Sequence, residues 1–211
     1  MSATPGFRRL VAGLGTCTMG LSLLTVLAMP ASPARAAGSG IVISEIHYHA
    51  GSDLDTDDFL ELTNTSTAPV DVSGWTFTAG ITATLPGGSV VAAGGRYVLS
   101  PDTTRFTTLY GFAPDALYAG KLSNGGEAVT LADTASVVVD TVTYADAAPW
   151  PSTPDGTGPS LELRSVTADN SRPENWGPST TSGGTPRAVN SLDGTAPPPV
   201  VEALAATPVR P

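Results

Sequence analysis

From Ile41 to about Ser165 the chain is a succession of short runs rich in Val, Ile, Thr, Tyr and Leu, separated by turns rich in Gly, Pro, Asn and Asp. The runs predict strands at Ile41–Tyr48, Phe59–Asn64, Trp75–Thr78, Ala83–Leu85, Arg96–Leu99, Ala128–Ala132, Val137–Tyr144 and Leu161–Ser165. Between them stand Asp71-Val72-Ser73-Gly74, Pro86-Gly87-Gly88, Ala93-Gly94-Gly95 and Asn124-Gly125-Gly126, each a turn-forming cluster. Two runs alternate legibly. Leu60 and Leu62 face one side and Phe59, Glu61 and Thr63 the other; Val138, Asp140, Val142 and Tyr144 share a face opposite Val137, Val139, Thr141 and Thr143. One helix is expected near 102–110, capped by Asp102 or Thr103, with Phe106, Leu109 and Tyr110 pointing inward. Many short strands with so little helix predict an all-β sandwich or barrel.

The two ends read differently. Arg8 and Arg9, the apolar run Leu21–Met29 and the small-x-small site Ala34-Arg35-Ala36 have the layout of a secretory signal over residues 1–36. Gly20, Ser22 and Pro30 interrupt the apolar run, whereas a membrane span needs about 20 consecutive apolar residues. Cys17, the only cysteine, lies in that segment; Leu14-Gly15-Thr16-Cys17 has a faint lipobox look, but the apolar run follows the cysteine instead of preceding it. The exported chain then has no disulfide and relies on its core or on a bound ion. An ordered domain is expected over 39–191. Within it, the loop from Ala148-Pro149-Trp150-Pro151 to Asp155-Gly156-Thr157-Gly158-Pro159 is pinned by Trp150, and the polar, Pro/Gly-rich stretch after Ser165 is anchored by Trp176. Residues 192–211 read as a disordered Pro-rich linker, stiffened at Pro197-Pro198-Pro199 as polyproline II.

The formal charge is −9, and without Arg8, Arg9 and Arg35 only seven basic residues face 19 acidic ones. With no basic patch to displace counterions, binding to nucleic-acid backbones is excluded as a function class. The acidity suits solubility outside the cell or affinity for divalent cations.

Along nearly the whole exported chain, ISEIHYHAGSD, DDFLELTN, VDVSGWTFT, LPGGSVVAAGGRYVL, FTTLYGF, LSNGGEAVTLAD, VVVDTVTYADAAPWP, DGTGPSLEL, DNSRPENW and GGTPRAVNS resemble, in order and spacing, the bacterial form of the lamin tail domain. The resemblance implies an immunoglobulin-like β-sandwich and a non-catalytic module of accessory or adhesion type. Where the family commonly has Asn after Ile-His-Tyr, this chain has His49.

Four candidate sites follow from the residues. The loop Asp53-Leu54-Asp55-Thr56-Asp57-Asp58 offers carboxylates at Asp53, Asp55, Asp57 and Asp58 to calcium, yet lacks the glycine at position six and the carboxylate at position twelve of an EF-hand. The other reading is a solvated loop whose charges protect an exposed strand edge. Glu45, His47 and His49 lie on one strand face and are zinc-type ligands, but alternate side chains stand nearly 7 Å apart, so the alternative is that His47 packs at the strand end. Catalysis has little to work with: no nucleophile elbow, no His-Glu-x-x-His and no phosphate loop, leaving only the strand carboxylates Glu45, Glu61, Asp140 and Glu162 as a glycosidase-type pair. Trp75 reads as core, whereas Trp150, between prolines, is the candidate binding residue. The expectation is a secreted or cell-surface-associated, non-catalytic module for a protein or surface-glycan partner, with calcium as its candidate ion. The alternative is a carbohydrate- or surface-binding accessory domain of a larger hydrolase system.

Overall fold

The computed structural model describes Met1 and residues 39–198; Cys17, the rest of the predicted signal and the end of the tail lie outside them. The described residues from Ser39 onward fall in one unit. In chain order the strands are β1 (Ile41–His47), β2 (Phe59–Asn64), β3 (Val70–Asp71), β4 (Thr76–Ala79), β5 (Ala83–Thr84), β6 (Val90–Val91), β7 (Arg96–Ser100), β8 (Ala116–Leu117), β9 (Gly126–Ala132), β10 (Val138–Ala145), β11 (Pro159–Leu163) and β12 (Trp176–Ser182). Helix α1 (Thr103–Tyr110) lies between β7 and β8, capped as expected by Asp102, whose Oδ1 accepts from Arg105 N at 2.8 Å.

Six strands form one sheet in the order β12-β11-β1-β2-β7-β8, and four form another in the order β10-β9-β4-β5, while β3 and β6 make a separate ribbon. All pairings between neighbours are antiparallel except β7 with β8. A common core joins the two large sheets. From β1 come Ile41, Ile43 and Ile46, from β2 Leu60 and Leu62, and from β11 Leu161 and Leu163; Phe77, Val129, Leu131, Val142 and Tyr144 come from the opposing sheet. Trp75, set by the Ser73-Gly74 turn, enters this core as the sequence predicts. This is the sandwich arrangement, two sheets each burying one face.

The six-stranded sheet departs from the usual half-wet pattern, because β1 and β2 are buried at every position. Over the outer face of β2 and β7 lies α1, where Phe106 joins Phe59 and Val98 in a second cluster with Tyr110 and Phe112 at its edge. Over the rest lies the segment 183–192, which sequence texture presents as polar coil. Four strands escape the period-two reading. β3, β6 and β8 are two residues long, and β12 contains Gly177 and Pro178. Proline is tolerated there because β12 is the sheet's edge strand.

Candidate functional site

The outer face of the six-stranded sheet carries a row of acids. Strict alternation along β1 would put Glu45 on the same face as Ile41 and Ile43, in the core. A register shift between Ile43 and Glu45 breaks that parity, so Ile43 and Ile46 both point inward and Glu45 points out. The bulge is held by three distant side chains. Asp140, inward from β10 with Val142 and Tyr144, accepts from Ile43 N through Oδ2 at 2.6 Å, while a register shift between Val138 and Asp140 puts Val139 in the core where the alternation predicts Val138. Asn170 Nδ2 donates to Ile43 O (3.2 Å) and to Asp140 Oδ2 (2.7 Å), and Asn190 Nδ2 donates to Ser44 O at 2.9 Å. The displaced backbone groups are thereby satisfied.

Register then aligns three carboxylates across adjacent strands, with Glu45 opposite Glu61 of β2 on one side and Glu162 of β11 on the other. None of the three is exposed to solvent. The segment 183–192 caps them. Glu45 accepts from Ser160 Oγ (2.6 Å) and Thr185 N (2.8 Å); Glu61 Oε2 accepts from Arg187 N (2.6 Å); Glu162 accepts from Thr185 Oγ1 (2.6 Å) and Ser191 Oγ (2.7 Å). Gly184, with positive φ, passes so close that a Cβ there would run into Glu45 Oε1. Arg187 fastens the strap at its middle, pairing with Asp115 and lying 4.6 Å above the Phe112 ring. Tyr110 Oη donates to Gly183 O at 2.8 Å, tying the strap to α1. Arg96 Nε lies 3.2 Å from Glu61 Oε1, but neither atom has a hydrogen-bond partner, so the guanidinium stands beside the carboxyl without aiming an N–H at it. Burial dominates the protonation of Glu45 and Glu61. It pushes Glu45 up to about 7 against the hydrogen bonds from Ser160 and Thr185. It pushes Glu61 up to about 9, with Glu45 adding to the shift and Arg96 too weak to reverse it. Burial thus favours the protonated form of Glu45 and Glu61 within a hydrogen-bonded seam.

The acidic loop is arranged otherwise. Asp53 Oδ1 meets His49 Nε2 at 3.1 Å, and His49 Nδ1 meets Asp155 Oδ1 at 2.6 Å, so the imidazole bridges two loops. These carboxylates raise the His49 pKa, Asp155 most. Asp57 accepts from Ser52 Oγ at 2.5 Å and is clasped by Arg105, whose guanidinium holds its carboxyl below the usual range. Asp55 has only Lys121 at 3.7 Å. Asp58 turns inward: Oδ1 accepts from Ala50 N at 3.3 Å, Oδ2 has no partner, and burial pushes the group up to about 8. Among the described residues no group of three or more His, Cys, Asp or Glu side chains is placed to hold a metal ion. Glu45, His47 and His49 do not converge either. His47 is buried, with Nε2 3.2 Å from Gly158 O and its ring against Phe59. It lines a cleft of about 470 Å3 with Ser52, Asp57 and Tyr110, whose polar atoms are already bonded within the fold.

Trp150 lies where the long loop meets β12. Its ring centroid is 6.0 Å from that of Trp176, and only 8% of Trp150 is exposed. Trp176 Nε1 donates to Asn170 O at 2.8 Å. Beside the two indoles runs a groove of about 410 Å3 walled by Pro149, Pro151, Pro173 and Pro178, with Arg164 and Glu174 at its rim.

Two sheets sharing one core, with every strand acid of the outer face capped internally, define an immunoglobulin-like sandwich module. The family model of the lamin tail domain matches residues 34–146, more than half of the chain. The chain belongs to the lamin tail domain family. No curated protein matches it.

Proposed function

We propose that this is an extracellular, non-catalytic interaction module, exported by its N-terminal signal and presenting the Trp150 face to a protein or surface-glycan partner. The observation that carries it is the fate of the carboxylates. A glycoside hydrolase of the two-carboxylate kind needs its pair of acids open to substrate, whereas Glu45, Glu61 and Glu162 are sealed beneath the strap and bonded to it. The Trp150 groove, by contrast, is walled chiefly by indole and proline rings with few polar groups, the composition of a contact surface. No helix among the described residues is long and apolar enough to cross a membrane.

The glycan form of this reading, an accessory domain of a hydrolase system, is favoured by Arg164 and Glu174 at the rim, which suit sugar hydroxyls. It is opposed by the slight exposure of Trp150, since a sugar stacks on an open ring face. Calcium would enter at the Asp53–Asp58 loop only by displacing His49 and Arg105 from its carboxylates.

The test is retention of the protein on intact cell surfaces and on insoluble polysaccharides, with Trp150→Ala compared at a temperature where both are folded. Retention lost in the variant, with no turnover of any bound polymer, supports the module. Equal retention of both proteins, or turnover abolished by Glu45→Gln, sinks it.

A further inference from the structure

The groove beside Trp150 has a ninth wall residue that the rest of the site does not explain: Pro198, from the tail. The tail is led there by a chain of hydrogen bonds. Leu192 N donates to Glu162 Oε2 at 3.2 Å, Gly194 N donates to Arg164 O at 3.0 Å, and Arg164 Nη1 donates to Thr195 Oγ1 at 3.1 Å. Arg164 also donates through Nε to Trp176 O at 3.2 Å, so one side chain fixes both the groove floor and the arriving tail. Two residues after Thr195 the sequence reads Pro197-Pro198-Pro199. Such a run is pre-set as polyproline II, has no internal hydrogen bonds to lose and loses little entropy on docking; its natural receptor is a groove of aromatic rings.

We propose that the described start of the proline run, Pro197-Pro198, is an intramolecular cap for the Trp150–Trp176 groove, and that the groove is a receptor for extended proline-rich segments. This rests on the reading of the groove as a contact surface and adds its regulation: a partner binds only by displacing the cap. Tethered a few residues from its anchor, the run reaches an effective concentration on the order of millimolar, which suppresses weak binding in trans.

The experiment uses the whole protein with 15N-labelled indoles. Replacing the run (Pro197→Gly, Pro198→Ser, Pro199→Gly) leaves the core untouched, which an unchanged melting temperature verifies. The expected result is that the indole resonances of Trp150 and Trp176 move while that of Trp75 stays. A synthetic peptide of sequence GTAPPPVVE then returns them toward their original positions, and binds the natural chain about tenfold or more weakly than the variant. Indole signals that do not move, or peptide affinity equal in the two proteins, overturns the cap. Retention on cell surfaces and polysaccharides is read in parallel. If neither protein is retained while the indoles respond, the cap stands and the interaction reading falls.

Discussion

Two regions of this molecule are rich in carboxylates, and they use them in opposite ways. In the Asp53–Asp58 loop the acids are crowded into one short stretch, and three of them take separate partners at or near the surface: His49, Lys121 and Arg105. In the row Glu61–Glu45–Glu162 the acids come from three strands and are brought side by side by register, away from water, where burial favours the protonated form of Glu45 and Glu61. The dense acidic motif is thus divided among separate single partners, while the acids that join the sheet to its covering are scattered through the chain and act as one row. Density along the sequence says little about which carboxylates the structure depends on.

The largest effect that would break this comparison is removal of what covers the buried row. The family-matched residues end at Asp146, ahead of β11, β12 and the strap. A fragment 37–146 leaves Glu45 and Glu61 uncapped and one edge of β1 unpaired, so it is expected to show no cooperative thermal transition by circular dichroism. A sharp melt would mean that the row needs no cover. Next comes the bulge. Asp140→Ala leaves Ile43 N and Asn170 Nδ2 without their short partner inside the core, at a cost of about 2–4 kcal/mol by chemical denaturation. Asp53→Ala in the loop is expected to stay within about 0.5 kcal/mol. Similar values for the two would erase the distinction.

A smaller effect is the pH dependence. Glu45, Glu61 and Asp58 all have folded values above their ordinary ones. Each therefore binds its proton more tightly when folded, contributing stability that is fully present below about pH 4 and lost as pH rises toward about 9. The melting temperature should be several degrees higher at pH 5 than at pH 9. Glu45→Gln with Glu61→Gln should flatten that slope, whereas Asp55→Asn should leave it. A domain steadier at pH 9 would show that the row is ionised in the fold. The smallest expected change belongs to calcium. With the loop acids already engaged, millimolar calcium in place of EDTA should move the melt by less than about 1 °C. A rise of several degrees, of the size a tightly bound ligand gives, would mean the loop rearranges around an ion.

Much of the sandwich is legible in the sequence, because β2, β7, β9 and β10 carry their strand chemistry between clear turns, and Asp102 announces α1. The row of acids is not. Reading β1 by strict alternation does place Glu45, His47 and His49 on one face, but it also places Ile41 and Ile43 there. Only the bulge, fixed by Asp140, Asn170 and Asn190 from far along the chain, separates them. The strap is invisible for a related reason. Thr185, Arg187 and Ser191 sit in a stretch with no hydrophobic period, and what orders it is hydrogen bonding to acids more than twenty, and up to 140, residues away. Flanking prolines single out Trp150, but nothing near it in sequence names Trp176 as its neighbour.

The position of β1 also sets a schedule. It sits between β2, its near neighbour in sequence, and β11, which begins more than a hundred residues later. A chain threaded out from its N-terminus can zip β1 to β2 at once. It must then carry the other flank of β1 as bare, sticky backbone until Pro159–Leu163 arrives. For that interval any extended strand nearby, including the same flank of a second growing copy, is a competitor for the place. The protein becomes safe from its own siblings only once β11 has emerged to take that flank.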